Sequence, residues 1–169
     1  MNAILDVWNR SEPEEAVAAL LSCCAAQRWA DELVSMRPFA NEEELFATAD
    51  RVWDDMQQPD WMQAFRAHPR IGDRKPAHAS AQSSAWSRQE QSSAQMAHAS
   101  VLAQLAEGNQ RYEELFGFTY IVCATGKSAE EMLQILNRRL GNDRLAELNE
   151  AAEQQRQITQ IRLRKWLQV

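Results

Sequence analysis

The 169-residue chain is short of the residues that break helices. It has five glycines and five prolines, about half the usual share of a globular protein, so turns are few and the elements between them long. Val, Ile and Thr are sparse, which disfavours a sheet. There is no basic excess: 18 Lys and Arg against 24 Asp and Glu leave a net charge of −6. Such a surface repels phosphate backbones and excludes nucleic acid as a partner unless the cations cluster. Arg156, Arg162, Arg164 and Lys165 do cluster, but four cations on a last helix most simply form a solvated face. The three cysteines, Cys23, Cys24 and Cys123, are odd in number, and two are adjacent. They make no disulfide framework and have no metal-ligand spacing. No apolar run approaches the ~20 residues that span a bilayer, so no membrane association is expected. Met1 to Asp6 shows no signal-peptide pattern, and Trp166 to Val169 carries no peroxisomal or reticular address. A reducing cytoplasm is the expected setting.

What is present is helix-forming. Apolar residues are 45% and charged residues 25%, enough apolar surface to offset the entropy of ordering. Ala is the commonest residue and Gln is abundant, and both lose little freedom in a helix. The expectation is an all-α fold: one domain over residues 1–169, a bundle of about seven to eight helices.

Boundaries can be placed along it. Ser11-Glu12-Pro13-Glu14 reads as a capping box opening a helix through Leu20 and Leu21. A second helix runs from about Ala25 to Met36 and stops before Pro38. Asn41 caps a third, with Leu45, Ala49, Val52, Trp53 and Met56 at helical spacing. Asp60 caps a short helix that must end at His68, because Pro69 follows. Arg70 to about Ser84 has no apolar period and reads as a long loop. Ser87-Arg88-Gln89-Glu90 reads as another capping box, opening a long helix through Met96 and Leu105 to Gly117, an αL cap. Phe118 to Cys123 reads as an extended connection. Ser128 caps the next helix, and Asn142 opens the last.

The candidate chemistry flanks the long loop. His68 stands where Pro69 forces the chain out of a helix. A histidine capping the last carbonyls is the plainer reading of that residue alone. Ser87 and Glu90 have an equally plain reading as a capping box, whereas Gln91 has no capping duty. A helix N-terminus there would also offer an anion site. His78 and His98 lie in polar surroundings, and no His-Glu-x-x-His pattern supports a zinc hydrolase. Cys23 and Cys24 are expected to pack in a core rather than act as nucleophiles. The tryptophans read as core anchors, though Trp29 beside Arg28 could line a pocket.

Taken together, several segments resemble the 2-oxo-4-hydroxy-4-carboxy-5-ureidoimidazoline (OHCU) decarboxylase family. They are Arg37-Pro38-Phe39, His68-Pro69-Arg70-Ile71-Gly72-Asp73 and Ser87-Arg88-Gln89-Glu90-Gln91. They continue with Asn109-Gln110-Arg111-Tyr112, Phe116-Gly117-Phe118, Arg139-Leu140 with Asn142, and Ile158 to Leu163. These cover nearly the whole chain. The His-Pro and Ser-x-x-Glu-Gln pair is the specific part. Leu115 departs from a common Lys, and Thr119-Tyr120 from a frequent Pro-Phe. The resemblance implies an all-helical, cofactor-free homodimer. It would convert its anionic substrate to (S)-allantoin and carbon dioxide at the end of urate degradation. It implies His68 and Glu90 as catalytic, and Pro69, Ser87, Gln91, Arg162 and the backbone around Ile121 and Val122 as substrate-binding, with no metal.

The residue types suit that chemistry. The substrate ring's own imine and carbonyl can take the electron pair released by decarboxylation, so no cofactor motif is needed. Arg162 offers a fork of donors for carboxylate or carbonyl oxygens. Ser87 and Gln91 can pair ureido or amide groups, and a histidine can carry a proton near neutral pH. Helical spacing puts Arg162 on the side of Ile158 and Ile161, bordering a buried stripe, while Arg164 points elsewhere. Two rivals stand beside this reading: a non-catalytic helical scaffold module, and a hydrolase acting on a related ureide.

Overall fold

The structure, a computed structural model, describes residues 2–71, 80–92 and 98–168, and among these every regular element is a helix. There are nine: α1 (Ala3–Arg10), α2 (Pro13–Cys23), α3 (Gln27–Ser35), α4 (Glu42–Asp54), α5 (Gln58–Arg66), α6 (Ala81–Glu90), α7 (Ala99–Phe116), α8 (Ala129–Arg139) and α9 (Arg144–Trp166). The all-α expectation holds, with a slightly higher count. Positions 72–79 of the expected loop, together with His78 and Met96, lie outside the described residues.

Several helix starts follow the capping logic. Asn41 accepts the Glu44 N–H at 2.9 Å. At α8 both halves of the box form: Ser128 Oγ accepts from the Glu131 N–H (3.1 Å), and Glu131 accepts from the Ser128 N–H (2.9 Å). Gly117 ends α7 at φ 81°, a backbone state that a side chain would strain.

Other starts depart from expectation. The Ser11 box is not formed. Asn2 opens α1 by accepting from the N–H groups of Ile4 and Leu5. Ser11 closes that helix, its Oγ donating to the Trp8 carbonyl at 3.0 Å. The N-cap of α2 is Glu12, without a side-chain cap bond. Asp60 lies inside α5, where its carboxylate reaches back to the Gln57 N–H at 2.9 Å. Asp143, rather than Asn142, caps α9, accepting from the Ala146 N–H at 2.8 Å.

The larger change concerns α6. Its N-cap is Ser80, whose Oγ accepts from the Ser83 N–H at 3.0 Å. Ser87 and Glu90 therefore stand in its last turns rather than at a helix start, and Ala81 to Ser84 are helical rather than loop.

Two compact units form, residues 1–64 with 156–169, and residues 65–155. In the first, Trp29, Leu20, Leu33 and Leu45 are fully buried, and the Trp29 indole N–H donates to the Ala49 carbonyl at 3.1 Å. It is core, and the pocket role considered for it is not seen. Trp8 stacks on Phe39 and meets Trp166 edge-on, with centroids 6.0 and 5.7 Å apart.

Cys23 and Cys24 are buried in this unit, as core packing requires. Burial pushes the Cys23 thiol up to about 12 and the Cys24 thiol up to about 11, so neither supplies a thiolate nucleophile at neutral pH. Cys123 is buried too. A thiol-titrating disulfide reagent is expected to modify the native protein slowly and to reach all three thiols only in denaturant. Fast stoichiometric labelling of the native protein would contradict that burial.

The second unit is built on aromatic rings. Tyr112 packs against Phe116, Phe118 and Tyr120 with centroids 4.7, 5.7 and 5.4 Å apart, and Phe65 against Phe118 at 5.5 Å. A Cβ placed on Gly108 would come within 2.6 Å of Leu136. The glycine thus allows α7 and α8 to pack closely.

Candidate active site

Residues 65–155 hold all of the expected catalytic and substrate-binding residues except Arg162. The α5 helix ends at Arg66, and the His68 N–H closes a last turn onto the Phe65 carbonyl at 3.1 Å. Pro69 is buried behind it. The half-buried His68 ring leaves its own helix and places Nε2 2.6 Å from Gln155 Oε1. Gln155 belongs to α9 and is fully buried. An amide oxygen accepts from Nε2–H, and in a neutral ring that tautomer leaves Nδ1 as the acceptor. Just beyond, Arg70 clamps Glu113 of α7 through two bonds of 2.7 Å, tying this segment to the long helix.

Ser87, Glu90 and Gln91 share one side of the end of α6, at spacings of three and four. Ser87 and Gln91 are buried and Glu90 half-buried. The Gln91 N–H donates to the Ser87 carbonyl at 3.1 Å. These residues sit at the carbonyl end of the helix, so the free N–H groups and positive potential of a helix start are not what they offer. Any anion recognition here must come from side chains.

Phe118 to Cys123 is a connection outside any helix or strand, with a bend at Phe118. Side chains hold it. Tyr120 donates to the Met132 carbonyl at 3.0 Å, and Arg139 Nη1 to the Ile121 carbonyl at 2.6 Å. The Cys123 N–H donates to Gln154 Oε1 at 2.8 Å, and Lys127 Nζ to the Cys123 carbonyl at 2.8 Å. Ile121 and Val122 are buried, yet their N–H groups have no protein acceptor among the described residues. Buried backbone donors are almost always paired, so this pair is suited to an external acceptor.

Arg162 lies in the other unit. It is 3% exposed, while Arg164 is exposed and lies over the Phe46 ring at 4.4 Å. The periodicity argument for Arg162 therefore holds, and the solvated-face reading does not. Its charge acts on the thiols of Cys23 and Cys24, and the latter is hydrogen-bonded by the Thr159 side chain.

Sequence reasoning passed over Gln154 and Gln155, neighbours on α9 that fix the Cys123 N–H and the His68 ring. Their only signal was a pair of uncharged glutamines inside the polar stretch Glu153 to Gln157 in the middle of α9. Asn109, noted only as part of a motif, is 1% exposed, and neither its amide atoms nor the buried Ser84 Oγ has a partner among the described residues. Such atoms cost free energy unless water or ligand satisfies them. Among the described residues no cluster of His, Cys, Asp or Glu could hold a metal ion.

The sequence of residues 9–164 matches the OHCU decarboxylase family. The chain belongs to that family. An OHCU decarboxylase crystallised in the presence of (S)-allantoin superposes with a TM-score of 0.77 at 34% identity, covering 94% of this chain and 100% of that one. The uric acid degradation bifunctional protein of Arabidopsis thaliana is 35% identical over 144 residues, 85% of this chain but 44% of that longer protein. The 2-oxo-4-hydroxy-4-carboxy-5-ureidoimidazoline decarboxylase of Amia calva is 31% identical over 134 residues, 79% of this chain and 77% of that one. Both halves of the specific motif, His68-Pro69 and Ser87 to Gln91, fall inside the matched region of this OHCU decarboxylase family member.

Proposed function

We propose that the protein catalyses the decarboxylation of 2-oxo-4-hydroxy-4-carboxy-5-ureidoimidazoline to (S)-allantoin and carbon dioxide in urate degradation. The observation that carries this reading is the family match across residues 9–164, with the His-Pro and Ser-x-x-Glu-Gln residues inside it. The bond from the ring to its carboxylate breaks, and the electron pair moves into the ring imine. A proton is then added to one face of the carbon bearing the ureido group. The substrate supplies its own electron sink, so the protein's part is to bind, orient and deliver a proton.

In this scheme His68 carries the proton, with Gln155 holding the ring in one tautomer and orientation. Glu90 orients the ureido group or shares the proton. Ser87 and Gln91 pair its amide atoms, Pro69 lines the ring, and the N–H groups of Ile121 and Val122 donate to substrate oxygen. Arg162 meets the anionic group with two parallel donors. A cytoplasmic homodimer is part of the same proposal, and size-exclusion chromatography with light scattering tests its oligomeric part. The deciding experiment supplies freshly generated substrate and follows carbon dioxide release together with the circular dichroism of the allantoin formed. Carbon dioxide with (S)-allantoin supports the assignment. A ureide cleaved without carbon dioxide release would favour a hydrolase.

Arg162→Lys is expected to raise KM by roughly tenfold or more, because an ammonium cannot reproduce a two-pronged contact. Arg164→Lys, at an exposed site, is expected to be nearly silent. Steady-state kinetics on the two proteins checks this, and equal effects would remove the binding role from Arg162.

A further inference from the structure

Arg139, the last residue of α8, is fully buried, as is the Glu147 carboxylate it faces. Its Nε donates to Glu147 Oε1 at 2.7 Å, and Tyr112 closes the group by donating to the same oxygen. Tyr120 lies under the guanidinium, 4.9 Å from ring centroid to Cζ. A buried ion pair is a poor way to stabilise a fold, since apolar residues of similar volume often serve as well or better. An apolar pair, however, could not make the remaining contact, the 2.6 Å bond from Arg139 Nη1 to the Ile121 carbonyl.

That contact has a geometric consequence. A trans peptide is planar, with its C=O and N–H pointing in opposite directions. Fixing the Ile121 carbonyl toward Arg139 therefore turns the N–H of the same peptide, that of Val122, away from it. This N–H has no acceptor among the described residues, while the next, on Cys123, is held by Gln154. We propose that Arg139 is a positioning residue for the decarboxylation, gripping the Ile121 carbonyl so that the Val122 N–H is presented to the substrate. The Glu147 carboxylate and Tyr112 hydroxyl hold the guanidinium in that orientation. The proposal rests on the reading of the Val122 N–H as a substrate donor.

Two variants test it. Arg139→Met with Glu147→Gln removes both charges together, so no buried charge is left unpaired, and deletes the bond to Ile121. Arg139→Lys keeps a cation beside Glu147 but replaces a three-nitrogen fork by one point. In the folded variants KM is expected to rise about tenfold, with kcat within about threefold of the parent, the pattern of a lost binding contact. In the parent, the Val122 amide resonance is expected to shift on titration with (S)-allantoin, and in the variants to shift less. A variant with the parental circular dichroism spectrum, parental KM and parental Val122 response would overturn the proposal. If the parent's own Val122 amide does not respond to (S)-allantoin, the donor reading itself fails, an outcome the variants cannot mimic.

Discussion

Replacing His68 with Asn is expected to lower kcat/KM by a factor on the order of 10² to 10⁴, the usual worth of a positioned proton carrier. The backbone fold is expected to be retained. The turn that carries His68 is set by the backbone, through the bond from its own N–H to the Phe65 carbonyl and through the buried Pro69. Neither depends on the imidazole. Asn ends about where Nδ1 stands, so the 2.6 Å bond from Nε2 to the fully buried Gln155 is lost, and the melting temperature is expected to fall modestly while the fold is kept. What Asn cannot do is gain and lose a proton near neutral pH. Steady-state kinetics, a far-ultraviolet spectrum and a melting curve on the same preparation check the expectation. A folded His68→Asn protein that retains activity would return His68 to a helix-capping role.

The helical class was legible because the signals for it are local. Scarce glycine and proline, capping residues at Asn41 and Ser128, and the glycine at 117 each act over a few residues, and each appears where the sequence placed it. The α6 helix was not legible, for a physical reason. Its buried side is made of Ser83, Ser84, Ser87 and Trp86, so a hydrophobic period has almost nothing to register. The Ser87–Glu90 spacing then imitated a helix start at what is a helix end. A Ser-x-x-Glu pattern cannot say which end it marks unless the flanking apolar pattern does, and here it does not. The α1 helix escaped for a related reason: Ser11 could cap the following helix or close the preceding one, and only packing decides. The candidate site residues were legible mostly through resemblance. Helical spacing added the burial of Arg162. Gln155, Arg139 and Glu147 act through contacts across 8 to 87 positions of chain, which no local pattern encodes.

The relocation of Glu90 sharpens the second large expectation. At a helix start, a glutamate three residues after serine is a stabilising device, and its presence would need no further reason. At the end of α6 the helix dipole is negative, and a carboxylate there is unfavourable by about 0.3 to 1 kcal/mol. The half-exposed position screens part of that. Its spacing puts Glu90 on the side of α6 that carries Ser87 and Gln91, the residues proposed to bind substrate. Glu90→Gln keeps the shape and a hydrogen-bonding oxygen while removing the charge and the proton acceptor. The melting temperature is therefore expected to stay within about 2 °C of the parent or to rise slightly. Turnover is expected to fall on the order of a hundredfold. Differential scanning fluorimetry and initial-rate measurements on the purified variant decide it. A protein with near-parental turnover would show that the charge at this position serves neither substrate nor proton transfer, and the chemistry would rest on His68 without it.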